Sequence, residues 1–182
     1  AATRERDKFH INKNLTTKIE LTDVTDKYCV FGLFGPKSRE LITSISKENF
    51  SNKNFKFATG KKIKINNVET WVQRLSYVGE LGYEIYVEFD SAVEIYNLVI
   101  NEGKKYNISN CGMHSLDIMR MENGFLHWGH DISPEENQYQ AGLEFAISFK
   151  KNIDFIGKDS LLKIKDSKIN KRLMMFRLKD TK

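Results

Sequence analysis

Apolar residues recur along this chain with two different spacings, and the spacing divides it into strands and helices. Tyr28 to Phe34 is a nearly continuous apolar run, which predicts a central strand that Gly35-Pro36 ends. Lys61 to Ile65 and Val68 to Ser76 alternate around Asn66-Asn67, the signature of a hairpin. Tyr83 to Phe89 predicts the next strand, and Lys18 to Thr22, Leu143 to Phe149 and Arg172 to Leu178 predict three more. Helical spacing governs the other segments. Thr3 to Asn14 predicts a helix capped by Thr3, and Ser38 to Ile45 one with Pro36 at its first position. Ser91 to Lys105 places Ala92, Ile95, Tyr96 and Val99 on one face. Met113 to Asn123 is stopped by Gly124, and Asp159 to Ile164 is short. Strands and helices mix without regular alternation, so the predicted class is α+β, with mixed, mainly antiparallel sheets and packed helices.

One stretch breaks the pattern. Ser76-Tyr77-Val78-Gly79-Glu80-Leu81-Gly82-Tyr83-Glu84 inserts two glycines between strand-forming residues, which implies a tight excursion from a sheet. It carries the rings of Tyr77 and Tyr83 and the carboxylates of Glu80 and Glu84. Such a set suits a flat, nitrogen-rich ligand, because rings pack on its faces and a carboxylate accepts parallel N–H bonds from its edge. The same residues also suit an ordinary hairpin whose rings pair across strands.

Composition narrows the setting. A chain of 182 residues, 40% hydrophobic and 29% charged, is long enough for one domain with a sizeable core. Its net charge of +5 comes from 22 Lys and only 7 Arg. Arg is the usual reader of bases and phosphates, and the lysines are scattered, so a solvated surface is expected rather than a nucleic-acid face. No apolar run is long enough for a bilayer span, so no membrane partner is expected. Cys29 and Cys111 lack metal or redox spacing and are expected to be free thiols.

Beyond Gly124 the chain reads Phe125-Leu126-His127-Trp128-Gly129-His130-Asp131. His127, His130 and Asp131 are potential metal ligands, but their spacing does not define a tetrahedral site, and no metal is expected. Arg120, near the helix end, either orients a carboxylate, whether of the protein or of a ligand, or makes a buried structural ion pair. No nucleophile elbow, phosphate loop or dinucleotide fingerprint is present.

In order and spacing, these segments resemble the folate-binding glycine cleavage T-protein (aminomethyltransferase) family. The likeness runs from about Leu15 to Leu178. It rests on Phe34-Gly35-Pro36-Lys37-Ser38-Arg39, on the Ser76–Glu84 stretch, and on Arg120-Met121-Glu122-Asn123-Gly124-Phe125. It continues through Trp128-Gly129-His130-Asp131, Ala141-Gly142-Leu143 and Asp154-Phe155-Ile156-Gly157-Lys158. The forms of these motifs are nearest to the folate domains of dimethylglycine and sarcosine dehydrogenases. The chain departs from those relatives at Asn123, where Lys is usual, at Leu126, often Arg, and at Gln138-Tyr139, usually a proline-containing lead.

The resemblance implies tetrahydrofolate as cofactor, with Tyr77, Glu84, Arg120 and Trp128 at the pterin. It implies one-carbon transfer, in which tetrahydrofolate captures a carbon from a methylated-amine-derived donor as 5,10-methylenetetrahydrofolate. The family's catalytic aspartate is expected upstream of Ala1, so no residue here is assigned as catalytic. FAD is expected only if a separate upstream domain exists, and other domains of the same polypeptide, or a partner subunit, are expected partners. Residues 1–170 are expected to form part of a T-protein-like domain, and residues 171–182 to begin a following segment. The expected location is the cytoplasm of a bacterium or the mitochondrial matrix of a eukaryote. A non-catalytic folate-binding or regulatory module on the same fold is the alternative.

Overall fold

The computed structural model describes residues 3–151 and 153–179, so the segment expected from 171 to 182 is covered only to 179. The chain divides into two compact units, one of Ala1–Ser76 and Glu80–Asn110, the other of Tyr77–Gly79 and Cys111–Lys182.

In the first unit, β1 (Tyr28–Phe34), β2 (Gly60–Ile65), β3 (Val68–Gln73) and β4 (Gly82–Glu88) form one sheet in the order β1-β4-β3-β2, antiparallel throughout. Side chains alternate across a strand, so one face collects Leu33, Ile63, Ile65, Val72, Tyr83, Ile85 and Val87, all buried. Helix α2 (Ser38–Ser44) adds Leu41 and Ile42 to this core, and α3 (Ala92–Gly103) adds Ile95 and Val99. The stripe Ala92, Ile95, Val99, Gly103 follows the helical repeat and is the buried side of α3. The polar loop between α2 and β2 is fastened by aromatic anchors. Phe50 meets the Tyr83 ring edge-on at 5.5 Å and Phe55 lies 5.9 Å from it. The Tyr83 hydroxyl accepts a hydrogen bond from Arg39 Nε at 3.3 Å, which satisfies the polar end of a buried ring. Asn66 takes φ +55° in the β2–β3 turn, a left-handed position that Asn tolerates.

Helix α1 (Arg4–Asn14) starts where the sequence places it, with Thr3 in the cap position, but it buries none of its residues. Arg4 ties it to the chain by ion pairs with Asp23 and Asp26. Among the described residues no helix is long and apolar enough to cross a membrane.

The second unit contains α4 (Met113–Glu122) and α5 (Lys158–Lys165) joined by turns. Three expected strands are absent from the described ladders. Residues 18–22 stay irregular, with Ile19 and Leu21 exposed, so alternation there buries nothing that would offset the entropy of ordering. Within residues 143–149, the 3₁₀ turn Glu144–Ala146 follows Gly142, whose φ of +72° turns the chain, and Phe145 is 86% exposed. Residues 172–178 pair with no strand. Leu173 N donates to Gln140 O at 2.9 Å, and Met174, Met175, Phe176 and Leu178 are exposed. Pro36 precedes α2, which begins at Ser38, rather than opening it.

Candidate functional site

Arg120 organises the aromatic loop of the second unit. The left-handed Gly124, φ +70°, ends α4, and Phe125 N donates back to Arg120 O at 2.9 Å. The guanidinium is only 4% exposed. Its Nε donates to Asp117 Oδ1 at 2.8 Å, and its Nη1 donates to Phe125 O at 3.0 Å and to Asp131 Oδ2. Asp131 Oδ2 also accepts His127 N at 2.8 Å, so one carboxylate joins the buried cation to the turn His127–Asp131. Arg120 thus takes the structural ion pair left open by its position in the sequence. The hydrogen bond from Arg120 holds the Asp117 carboxyl below the usual carboxylate range.

Tyr77 packs on this scaffold. Its hydroxyl donates to Leu126 O at 2.7 Å, and its ring stacks on Phe125 with centroids 6.0 Å apart and planes 16° apart. Burial raises the phenol pKa, against the pull of Arg120. Asn123 closes the arrangement. Its Nδ2 donates to Met119 O at 2.9 Å within α4 and to Val78 O at 3.2 Å, one residue beyond Tyr77. Trp128 is 45% exposed. The His127 and His130 rings stack at 4.4 Å, and His127 Nδ1 lies 3.7 Å from Asp117 Oδ1. No group of His, Cys, Asp or Glu among the described residues is arranged to hold a metal ion.

Glu84 belongs to the first unit. It lies on β4 with its side chain on the sheet face away from the core, opposite Gly32 of β1 and Gln73 of β3. It is half-buried, and its Oε2 accepts a hydrogen bond from Tyr86 Oη at 3.0 Å. Burial, then the Glu84 hydrogen bond, raises the Tyr86 phenol pKa. Tyr86 also borders a groove of about 490 Å³ lined by Ile11, Leu21, Val24, Tyr28 and Val30. The Phe34 ring lies over Gly32 and Gly82, where a Cβ would overlap it, so these two glycines seat an aromatic ring on the face that carries Glu84.

The structure therefore brings Tyr77, Arg120 and Trp128 into one unit and gives Glu84 its own setting in the other. Sequence reasoning assigned no role to Phe125, Asn123 or Phe34. All three lay within the motifs that carried the resemblance, but their part, as ring support, tether and lid over two glycines, needs three-dimensional contacts to be seen.

An antiparallel sheet backed by two helices, with a compact unit built around a buried arginine, makes this an α+β protein. The chain belongs to the GCVT N-terminal domain family, which its residues 1–151 match. It is 34% identical to human mitochondrial dimethylglycine dehydrogenase over 160 residues, which covers 88% of this chain and 18% of that protein. It is 39% identical to the 4-methylaminobutanoate oxidase (formaldehyde-forming) of Paenarthrobacter nicotinovorans over 158 residues, 87% of this chain and 19% of that one. The crystal structure of glycine cleavage system aminomethyltransferase T from Bartonella henselae superposes with a TM-score of 0.71 at 19% identity, covering 89% of this chain and 43% of that chain. The chain thus spans less than a fifth of the two curated relatives.

Proposed function

We propose that this chain is the folate-handling part of a one-carbon-transfer enzyme of the aminomethyltransferase or dimethylglycine/sarcosine dehydrogenase type. Its cofactor in this reading is tetrahydrofolate, and its one-carbon unit derives from an aminomethyl group or a methylated amine. The observation that supports it is the mounting of Tyr77 in a member of this family. The ring is backed by Phe125 and tethered through its hydroxyl to Leu126 O, which offers a planar heterocycle a fixed aromatic surface.

Residue by residue, the side chains of each unit suit such a ligand. Glu84 presents a half-buried carboxylate able to accept the N–H edge of a pterin, and Trp128 presents a partly exposed ring. Arg120 serves by holding the loop, since it donates to Asp117, to Phe125 O and to Asp131, all within its own unit. Tetrahydrofolate, when bound, supplies the nucleophilic nitrogens that receive the one-carbon unit. The chain's own residues contribute binding and orientation, which raise the rate by holding reacting groups in place. The group that assists the folate nitrogen is assigned to no residue of this chain, and FAD would enter only through a separate domain. Further domains of the same polypeptide or a partner subunit complete the enzyme, in a bacterial cytoplasm or a mitochondrial matrix.

The test is calorimetric titration of the full-length protein with 5-formyltetrahydrofolate, comparing the parent with Glu84→Gln. A charge-assisted pair lost from the pterin edge weakens binding by roughly tenfold or more. Equal affinity of the two proteins would remove Glu84 from the site. Failure of the parent to bind any reduced folate would overturn the reading as a whole.

A further inference from the structure

We infer that Asn123 is a positioning residue for Tyr77, tying the end of α4 to the Tyr77–Gly79 segment so that the phenol ring is held in place for a ligand. The inference rests on the folate reading above for its consequence in binding, and on contacts within the second unit for its geometry.

Three observations converge on this residue. First, a single Nδ2 group serves two carbonyls, Met119 O inside the helix and Val78 O in the segment that carries Tyr77. The helix terminus and the distant segment are therefore joined through one side chain. Second, Gly79 takes φ +74°, and a Cβ added there would overlap the Asn123 carboxamide. The glycine thus supplies both the left-handed backbone and the space in which that carboxamide sits. Third, the two other attachments of Tyr77 are to Phe125 and Leu126, which follow Asn123 by two and three residues. Asn123 holds one end of the short path from Tyr77 to the α4 terminus, and Phe125 with Leu126 holds the other. The Arg120 bond to Phe125 O fixes that second end to the helix.

The chemistry demands a donor at position 123, because both partners are carbonyls. A carboxylate of the same shape meets two acceptors with no proton to share. A methyl group offers neither carbonyl a donor. In either case Tyr77 keeps its stack and its hydroxyl bond but loses the tether on the following residue, and the ring gains freedom that a ligand must remove on binding.

The experiment uses the full-length protein labelled with 3-fluorotyrosine. The chain has seven tyrosines, so the Tyr77 signal is assigned by its disappearance in Tyr77→Phe. Asn123→Asp and Asn123→Ala are compared with the parent by ¹⁹F spectra, melting temperature and titration with 5-formyltetrahydrofolate. The Ala variant guards against the effect of a new negative charge at a helix C-terminus. The expected result is a shifted or broadened Tyr77 signal in both variants. Folate binding weakens by roughly three- to tenfold, as for the loss of one modest hydrogen bond, while the other tyrosine signals stay in place. If the Tyr77 signal is unmoved in both variants, or the parent binds folate and both variants match it, Asn123 does not position the ring. If the parent binds no reduced folate, the proposed function fails separately, and the ¹⁹F comparison alone decides whether Asn123 places Tyr77.

Discussion

Gly79 passes so close to Asn123 that a side chain at position 79 has no room beside the Asn123 carboxamide. The same glycine holds φ +74°, so replacement meets a backbone penalty and a steric one together. Gly79→Ala is expected to destabilise the second unit by about 1–3 kcal/mol. Urea unfolding checks it. An unchanged midpoint would show that the segment has room to move away from α4.

Phe50, with Phe55, anchors a largely polar loop to the core of the first unit, with 2% of its surface exposed and its ring against both Phe55 and Tyr83. Truncation removes an aromatic payload and leaves a cavity that the sheet cannot fill. Phe50→Ala is expected to cost about 3–5 kcal/mol, read from denaturant midpoints. Phe57, 70% exposed in the same loop, is the control, and Phe57→Ala is expected to change stability by less than about 0.5 kcal/mol.

The Tyr77 hydroxyl donates to Leu126 O in a partly buried setting. Tyr77→Phe keeps the ring and its stack on Phe125 but leaves that carbonyl without this donor. The expected loss is about 0.5–1.5 kcal/mol of stability. Tyr77→Phe should retain more folate affinity than Tyr77→Leu if the ring face is what the ligand uses, and calorimetry separates the two.

Glu136 gathers hydrogen bonds from Lys171 Nζ at 2.9 Å, Ser133 Oγ at 2.7 Å and Ser133 N at 2.9 Å. Lys171 first, then Ser133, lowers its pKa to about 2. A carboxyl depressed in the folded state contributes stability that is present above its unfolded value near 4.5 and is lost as the pH falls toward 2. Lys171 is raised by the same pair, so its share is present below the usual lysine pKa and disappears as the pH rises through the folded value. Attachment of residues 170–173 to the 133–144 segment is therefore expected to weaken between pH 4.5 and 2. Limited proteolysis across that range checks it, and Glu136→Gln should reduce the pH dependence, leaving the share of the Arg172–Glu144 pair.

Periodicity alone located the strand Tyr28–Phe34, though it lies at the edge of its sheet and not at the centre as expected, the hairpin at Asn66-Asn67, the strand that carries Glu84 and the helices α1 to α5, because each has a spacing or a terminator that is local in the chain. The failures have one cause. Residues 18–22, 143–149 and 172–178 have the composition of strands, yet a strand exists only if another presents a matching edge and burial offsets the ordering. No local feature encodes that partner. Residues 143–149 also follow Gly142, whose positive φ redirects the chain before any strand can run on.

The candidate site divides in the same way. The expectation that Tyr77, Glu84, Arg120 and Trp128 face a flat heterocycle rests on the resemblance of their motifs to a family, and that resemblance is read from the sequence. That Arg120 spends its charge on Asp117 and Asp131, that Phe125 backs Tyr77, and that Asn123 reaches Val78 are outcomes of folding. Hydrogen bonds and ring contacts fall off within a few ångströms, so Asn123 and Val78, 45 positions apart in the chain, meet only once the backbone has brought them together.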